Sequence, residues 1–315
     1  MIAKSKEINP GTCSENHEHE LAEVDGELMC CTPKSIPDRL IMKAAEVATK
    51  INPVNMPFAT AFARTVAGFE IMEPQRIAVL TSKYWGATPR RLTVSFMENT
   101  PADLRARILT HLNAWTKTGC ISFVETAGIG DVRISRGRGG YYSYLGTDVL
   151  LIPKNRQTMN LEGFTMNTPE SEFKRVIRHE AGHTLGFPHE HMRKDLVARI
   201  DPQKAYSYFQ RTQRWDKATV DAQVLTSLEE RNLMSTPSDQ TSIMCYQLPA
   251  SITFDGRPIS GGTDINATDY AFVGQIYPKP SASRVIDGDS SAAALSDEWD
   301  ESEDVEVDVQ RFAGW

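Results

Sequence analysis

Residues 179–189 read His-Glu-Ala-Gly-His-Thr-Leu-Gly-Phe-Pro-His and combine three imidazoles and a carboxylate at spacings suited to metal chemistry. On a helix, His179 and His183 project from the same face because they are four residues apart. Glu180 would reach a water molecule on the metal without being a ligand itself. Three histidines leave one position of a tetrahedral zinc ion open, which is typical of a catalytic rather than a structural site.

A chain reversal is predicted to bring the third histidine to the metal. The preceding residues 171–178 suit a helix, Gly186 can adopt the positive φ that ends one, and Pro188 cannot continue it. The chain would then turn back and place His189 under the metal as the third nitrogen ligand. The alternative is a helix that carries a few surface histidines. Such a helix would not require Gly186 and His189 at their fixed spacing after His183.

A second element lies downstream, where residues 242–246 read Ser-Ile-Met-Cys-Tyr in a loop-like stretch. Together the two segments resemble the astacin family of metzincin zinc proteases. In that family the zinc run continues Gly-Phe-x-His-Glu-x-x-Arg-x-Asp, and a later turn reads Ser-Ile-Met-x-Tyr. The matching residues are Gly186, Phe187, His189, Glu190, Arg193, Asp195, Ser242, Ile243, Met244 and Tyr246.

The resemblance implies three further roles. Met244 would form a hydrophobic floor beneath the histidines, and Tyr246 would contact zinc in the resting enzyme and then stabilise the tetrahedral intermediate. Glu190 would help to anchor the mature amino terminus. The alternatives are that Met244 only fills the core and that Tyr246 is an ordinary buried tyrosine. For Glu190, the alternatives are a solvated charge or a salt bridge with Arg193. His191 matches nothing in the family and is expected behind the ligands or at the surface.

The expected activity is that of a zinc endopeptidase with one catalytic Zn²⁺ ion. Glu180 would take the proton of a zinc-activated water and pass it to the leaving amine, while zinc and Tyr246 share the oxyanion charge. The expected partner is a protein or peptide substrate, with no nucleic acid and no membrane, and the chain is expected to be a monomer. The alternatives are a catalytically inactive binding protein with the zincin fold, and a zinc hydrolase that cuts a non-protein amide.

The resemblance implies an α+β, metzincin-type zincin fold over residues 76–280. A twisted mixed sheet and the active-site helix would form an upper half, and a smaller helical and irregular part the lower half. Period-two and apolar runs predict strands at 92–96, 121–124, 132–134 and 148–152. A helix beginning at Pro101 would bury Leu104, Ile108, Leu112 and Trp115. Residues 139–144 resemble the stretch that leads into the cleft-facing edge strand, and helices at 201–210 and 266–276 are assigned to the lower half.

Residues 1–75 form a candidate propeptide, with an amphipathic helix predicted over 36–48. Family propeptides block zinc with an aspartate, for which Asp25 is the candidate. A thiolate from Cys13, Cys30 or Cys31 would serve the same physical purpose, because thiolate is a good zinc ligand. Two alternatives remain: the cysteines are incidental, or Cys13, His17 and His19 bind a second metal.

The composition, 40% apolar and 24% charged, is that of a soluble globular protein, and the first residues lack the apolar core of a signal peptide. A cytoplasmic location or export by a non-classical route, as in a secreted bacterial effector, is therefore expected. Five cysteines argue against a complete disulfide framework, and Cys120 and Cys245 alone cannot supply the two disulfides of animal astacins.

The carboxyl-terminal residues 281–315 are predicted to be an acidic disordered tail. They carry ten acidic side chains and two arginines, a charge of about −8, whereas the whole chain carries −7. Low hydrophobicity combined with high charge disfavours a packed core. A solubilising tail and an export or docking signal are the two interpretations.

Overall fold

A computed structural model of the chain describes residues 31–32, 34–55, 79–80, 83–228, 233–234 and 237–280. The elements below belong to one compact unit that ends at Pro278, and only residues 279 and 280 of the following unit are described. The predictions for residues 281–315 and for Cys13, His17, His19, Asp25 and Cys30 lie outside the described residues. Within the described ranges, no helix has both the length and the apolar character needed to cross a membrane.

A five-stranded mixed sheet frames the upper half. Its strands are β2 (Arg90–Phe96), β3 (Ile121–Glu125), β4 (Val132–Ser135), β5 (Tyr141–Ser143) and β6 (Met159–Leu161), in the spatial order β3-β2-β4-β6-β5. β5 is antiparallel to β6, and the other neighbours are parallel. β5 is therefore an edge strand. The strands predicted at 92–96, 121–124 and 132–134 are confirmed. Strands β1 (Val79–Leu80) and β7 (Leu233–Met234) form a separate antiparallel pair.

Eight α-helical segments lie within the described residues: α1 (Ile41–Ile51), α2 (Ala102–Leu112), α3 (Glu170–Glu172), α4 (Arg178–Thr184), α5 (Lys194–Val197), α6 (Pro202–Gln213), α7 (Lys217–Val220) and α8 (Ala267–Ile276). Helix α2 and the 3₁₀ turn Asn113–Lys117 bury Leu104, Ile108, Leu112 and Trp115 in the main core, as their spacing predicts. Burial of each such side chain contributes about 2 kcal/mol. This core also includes Phe173, Ile177 and Ala181 of the histidine-bearing segment.

The predicted strand at 148–152 is wrong, because the chain forms a 3₁₀ helix at Gly146–Leu151. Gly146 has a φ of +48°, and the Asp148 N–H donates to the Leu145 carbonyl at 3.1 Å, which turns the chain. The buried Asp148 carboxylate also pairs with Lys83 at 2.6 Å. An apolar run of four residues is compatible with a strand or with a 3₁₀ helix. The strand that follows β5 along the chain is β6 instead.

The lower half surrounds a second hydrophobic cluster, which includes Phe209, Val220 and Val224. Helix α6 confirms the helix predicted at 201–210, and Asp201 caps it by accepting from two backbone N–H groups. Helix α8 forms at the predicted residues, but its Phe272 and Val273 pack into the main core. Its place in the lower half stays a prediction.

Candidate metal centre

The first two histidines lie on a helical segment that is buried along its last two turns. Helix α3 continues through a π-helical turn at Phe173–Ile177 into α4, which carries His179, Glu180 and His183. All residues from 179 to 184 are buried, and π turns inside α-helices occur frequently at functional sites. The rings of His179 and His183 lie 4.7 Å apart between centroids. Both side chains therefore face the same point, as their spacing predicts.

The reversal after α4 depends on a glycine. Gly186 has a φ of +98°, its N–H donates to the His183 carbonyl at 2.8 Å, and the Phe187 N–H donates to the Gly182 carbonyl at 3.0 Å. This pair of hydrogen bonds is the Schellman motif, which ends a helix and satisfies its last carbonyls. The chain turns back as predicted, and His189 Nε2 lies 3.2 Å from His179 Nε2 and 3.1 Å from His183 Nε2.

Backbone carbonyls set the tautomer of two of the rings. His179 Nδ1 donates to the Ile243 carbonyl, and His183 Nδ1 donates to the Phe187 carbonyl, both at 2.7 Å. The proton on Nδ1 leaves the Nε2 lone pair available for a metal ion. Burial lowers the pKa of His179 to about 4 and those of His183 and His189 well below the usual value. The rings are therefore neutral, as metal coordination requires.

The spacing of these nitrogens fits a zinc ion. Tetrahedral zinc with Zn–N bonds of about 2.0–2.1 Å separates its nitrogen ligands by about 3.3–3.4 Å. The observed separations of 3.1 and 3.2 Å are close to this value. Neutral imidazoles whose lone pairs face one another repel unless a cation lies between them. The donor set and its geometry therefore fit the metal that the sequence predicts.

Glu180 lies beside the ligands in full burial. Among the described residues, neither of its carboxylate oxygens has a partner at hydrogen-bonding geometry, although the Cys31 thiol is close enough to lower its pKa. Burial is the larger effect and raises the pKa of Glu180 to about 8. A nearby cation would lower this pKa again, because opposite charge stabilises the carboxylate.

The turn of residues 242–246, called the methionine turn below, lies beneath the histidines and is fixed by a carboxylate for which the sequence predicted no such role. Met244 is fully buried, and a Cβ added at Gly182 of helix α4 would lie 2.4 Å from its sulfur. The buried Asp269 accepts from Ser242 Oγ at 2.7 Å and from the Ile243 N–H at 3.1 Å. The same carboxylate completes the capping box at the start of helix α8, a pattern that the spacing of Asn266 and Asp269 contains.

Replacement of Asp269 by alanine is expected to lower the free energy of unfolding by about 3 kcal/mol. Buried donors of the methionine turn and the N–H of Asn266 would lose their charged acceptor, at about 1–3 kcal/mol for each unsatisfied group. Urea denaturation of the two proteins measures the difference. Asp255→Ala, which removes an exposed carboxylate paired with Arg199, is the control and should change the value by less than about 0.5 kcal/mol. Equal effects of the two substitutions would contradict the anchoring role of Asp269.

Two aromatic rings lie against the third histidine. The Tyr246 ring is 4.1 Å from that of His189 between centroids, and it stacks on His191 at 4.3 Å with an interplanar angle of 13°. His191 is fully buried, and its Nε2 bonds the Gln223 carbonyl at 2.9 Å. His191 is therefore behind the ligands rather than at the surface. The phenol of Tyr246 is held at the edge of the candidate metal centre.

Glu190 is buried rather than solvated. Its Oε1 accepts from the Asp239 N–H at 3.0 Å and lies 3.9 Å from Arg193 Nη1. Within the described part of the chain, Oε2 has no hydrogen-bond partner. Burial raises the pKa of Glu190 to about 8. The alternative of a solvated charge is therefore wrong, whereas the ion pair with Arg193 is present at long distance.

One further donor joins the three histidines. Cys31 is buried, and ligand atoms of Cys31, His179, His183 and His189 all lie within 4.8 Å of one another. Among the described residues, Cys31, Cys120 and Cys245 form no disulfide. From the sequence, Cys31 is one of several alternative thiols, and no local motif distinguishes it from the others.

The family model for the astacin peptidases matches residues 79–257, which is more than half of the chain. The zinc metalloproteinase nas-27 of Caenorhabditis elegans is 34% identical over 102 residues, which cover 32% of this chain and 22% of that protein. The match thus spans about a fifth of the curated relative. Among solved structures, myroilysin is 30% identical with a TM-score of 0.60, covering 65% of this chain and 100% of myroilysin. The chain belongs to the astacin family. The predicted family and the α+β metzincin-type fold are thereby confirmed.

Proposed function

We propose that the protein is a zinc-dependent endopeptidase that uses a single Zn²⁺ ion held by His179, His183 and His189. The observation that supports this most strongly is the convergence of three neutral imidazole nitrogens at 3.1–3.2 Å, two of them fixed in tautomer by backbone carbonyls. When bound, zinc would supply a Lewis acid that acidifies water and polarises a carbonyl group. The catalytic domain is assigned to residues 76–280.

Glu180 is assigned the role of general base. It follows the first ligand on helix α4, and its buried carboxylate shares the cleft with His179. The carboxylate would take the proton of the attacking water and deliver it to the nitrogen of the leaving amine. Such positioned proton transfer typically contributes about 10²–10⁴ in rate. A buried carboxylate with few partners is suited to this task because its proton affinity is raised.

Tyr246 is assigned to the oxyanion, on the basis of its position against His189. Tyr246→Phe is expected to lower kcat by about 100-fold with little change in KM, because one donor to the developing charge is lost. Steady-state kinetics on a cleaved peptide measure both parameters. Tyr206→Phe, which removes a hydroxyl bonded to Asp221 in the lower half, serves as the control. A kcat for Tyr246→Phe equal to that of the control would remove the assigned role.

The substrate is proposed to be an extended peptide. The cleft is lined by Tyr141 of edge strand β5 and also by Gln247 and residues 260–263. An edge strand pairs with an extended chain through main-chain hydrogen bonds, which hold a peptide without reading its side chains. Protein or peptide substrates are therefore favoured over small amides. A library of peptides and simple amides, assayed with and without a zinc chelator, tests this assignment: chelator-sensitive cleavage is expected for peptides, and cleavage of non-peptide amides alone would contradict it.

Glu190 is proposed to receive the amino terminus of a processed form. Its buried Oε2 lacks a partner among the described residues, and an ammonium group would supply both a donor and the opposite charge. Mass spectrometry of the protein from its natural host would identify the mature amino terminus. Cleavage at a position from which the new amino terminus could not reach Glu190 would exclude this role.

A further inference from the structure

The ring of His191 provides a flat face against which Tyr246 lies. The two rings are stacked with their centroids 4.3 Å apart and an interplanar angle of 13°, whereas the contact between Tyr246 and His189 is tilted by 47°. Both members of the stacked pair are buried. Stacking is a preferred arrangement of aromatic rings and contributes more than the area that it buries. A near-parallel neighbour of this kind restricts the tilt of the phenol ring.

A hydrogen bond fixes the plane of the His191 ring. Its Nε2–H donates to the Gln223 carbonyl at 2.9 Å. Gln223 belongs to the π-helical turn Asp221–Leu225, which ends the helical segment that begins with α7. The last carbonyls of a helix lack partners within that helix, so the imidazole satisfies a group that would otherwise be unpaired. The orientation of the ring is therefore defined by a directional contact as well as by packing.

The 3₁₀ turn that carries His191 is fixed on both sides. The Glu190 N–H donates to the Met244 carbonyl at 2.8 Å, which ties this turn to the methionine turn. The Met192 carbonyl accepts from the Leu228 N–H at 2.9 Å, which ties it to the residues that follow the π-helical turn. The two stacked rings therefore lie on segments that are hydrogen-bonded to each other.

We propose that His191 is a positioning residue for Tyr246, which holds the phenol in the cleft beside His189 so that its hydroxyl can bind the oxyanion. This inference rests on the proposed function and adds a residue to which the sequence motif assigns no role. A hydrogen-bond donor stabilises developing charge best when it already points to the place where the charge forms. The effect of His191 on the rate is therefore bounded by the effect of the Tyr246 hydroxyl, through which it acts.

Two substitutions that both remove the bond to Gln223 isolate the contribution of the stacked ring. His191→Phe keeps an aromatic face against Tyr246, whereas His191→Leu is apolar but has no ring. We expect His191→Leu to lower kcat for peptide hydrolysis about tenfold with KM nearly unchanged, and His191→Phe to recover most of that loss. Trp215→Leu is the control, because it removes a ring stacked on Phe209 in the same hydrophobic cluster and should leave kcat unchanged.

A double-mutant cycle with Tyr246→Phe separates positioning from a structural role. A residue that acts only through the hydroxyl has nothing to position once the hydroxyl is gone, so His191→Leu added to Tyr246→Phe should lower kcat by less than about twofold. A double variant about tenfold below Tyr246→Phe would show independent effects and overturn the proposal. A kcat of His191→Leu equal to that of Trp215→Leu, per zinc-loaded molecule, would also overturn it. His191→Gln, which has no ring, provides the same comparison if the leucine variant folds poorly.

Fluorine NMR of the zinc-loaded full chain, with meta-fluorotyrosine in place of Tyr246, tests the position of the ring without relying on activity. A ring held in one orientation gives one narrow resonance, whereas a released ring exchanges between orientations and gives a broadened or second one. We expect one narrow resonance in the parent chain, His191→Phe and Trp215→Leu, and a broadened or second one in His191→Leu. A single narrow resonance in His191→Leu would overturn the proposal. Failure of the proposed function has a different signature, in which the resonance depends on His191 as expected but no variant cleaves any peptide.

Discussion

Replacement of Glu180 by glutamine is expected to lower kcat for peptide hydrolysis by about 1,000-fold, with zinc content unchanged. Glutamine has nearly the same shape as glutamate but cannot accept a proton, so the substitution removes proton transfer while the packing of helix α4 is kept. Glu180 is fully buried, and a neutral side chain is tolerated there at least as well as a charged one. The measurement is steady-state kinetics together with metal analysis, in both the parent chain and the Glu180→Gln variant.

Glu170→Gln is the matched control for this substitution. Glu170 begins the same helical segment, but its side chain is exposed and pairs with Arg107 at 2.8 Å. Loss of an exposed ion pair of this kind changes stability by less than about 1 kcal/mol, and it should leave kcat unchanged. A Glu180→Gln variant that binds zinc and retains the kcat of the control would show that another group acts as the base.

Removal of zinc is expected to abolish hydrolysis and to lower the free energy of unfolding by about 4 kcal/mol, for free zinc about 1,000-fold above Kd. The three histidines are buried, and their Nε2 atoms face one another at 3.1–3.2 Å. Without a cation between them, these lone pairs repel, and none of the three rings can become protonated without a cost from burial. Urea denaturation with and without a chelator measures the difference.

Addition of metal ions to the chelated protein provides the control. Zn²⁺ should restore both the hydrolysis and the denaturation midpoint, whereas Mg²⁺ should restore neither, because Mg²⁺ requires oxygen ligands and this site offers nitrogen and sulfur. An identical midpoint in the presence and absence of chelator would mean that the histidine cluster does not bind metal in the folded chain.

Most of the candidate metal centre could be predicted from the sequence because its parts are local. Helical spacing alone places His179 and His183 on one face, and the positive φ of Gly186 returns the chain to His189. The same applies to the core face of helix α2, where one apolar stripe determines which side chains are buried. In these cases a short pattern contains the information that the structure uses.

The features that the sequence did not determine, or left among several alternatives, depend on contacts between distant parts of the chain. The apolar run after Asp148 suits a strand, but the buried pair with Lys83 and the turn at Gly146 make it a 3₁₀ helix. Asp269 follows a recognisable capping pattern, yet only packing shows that it also anchors the methionine turn. Cys31 carries no motif at all, and its place beside the histidines depends on backbone pairing with β5.

X-ray absorption spectroscopy at the zinc edge, combined with metal analysis of the full chain, tests the central claim most directly. We expect one zinc per chain, with three nitrogen ligands at about 2.0–2.1 Å. A chain that binds no zinc, or whose zinc lacks imidazole ligands, would contradict the account.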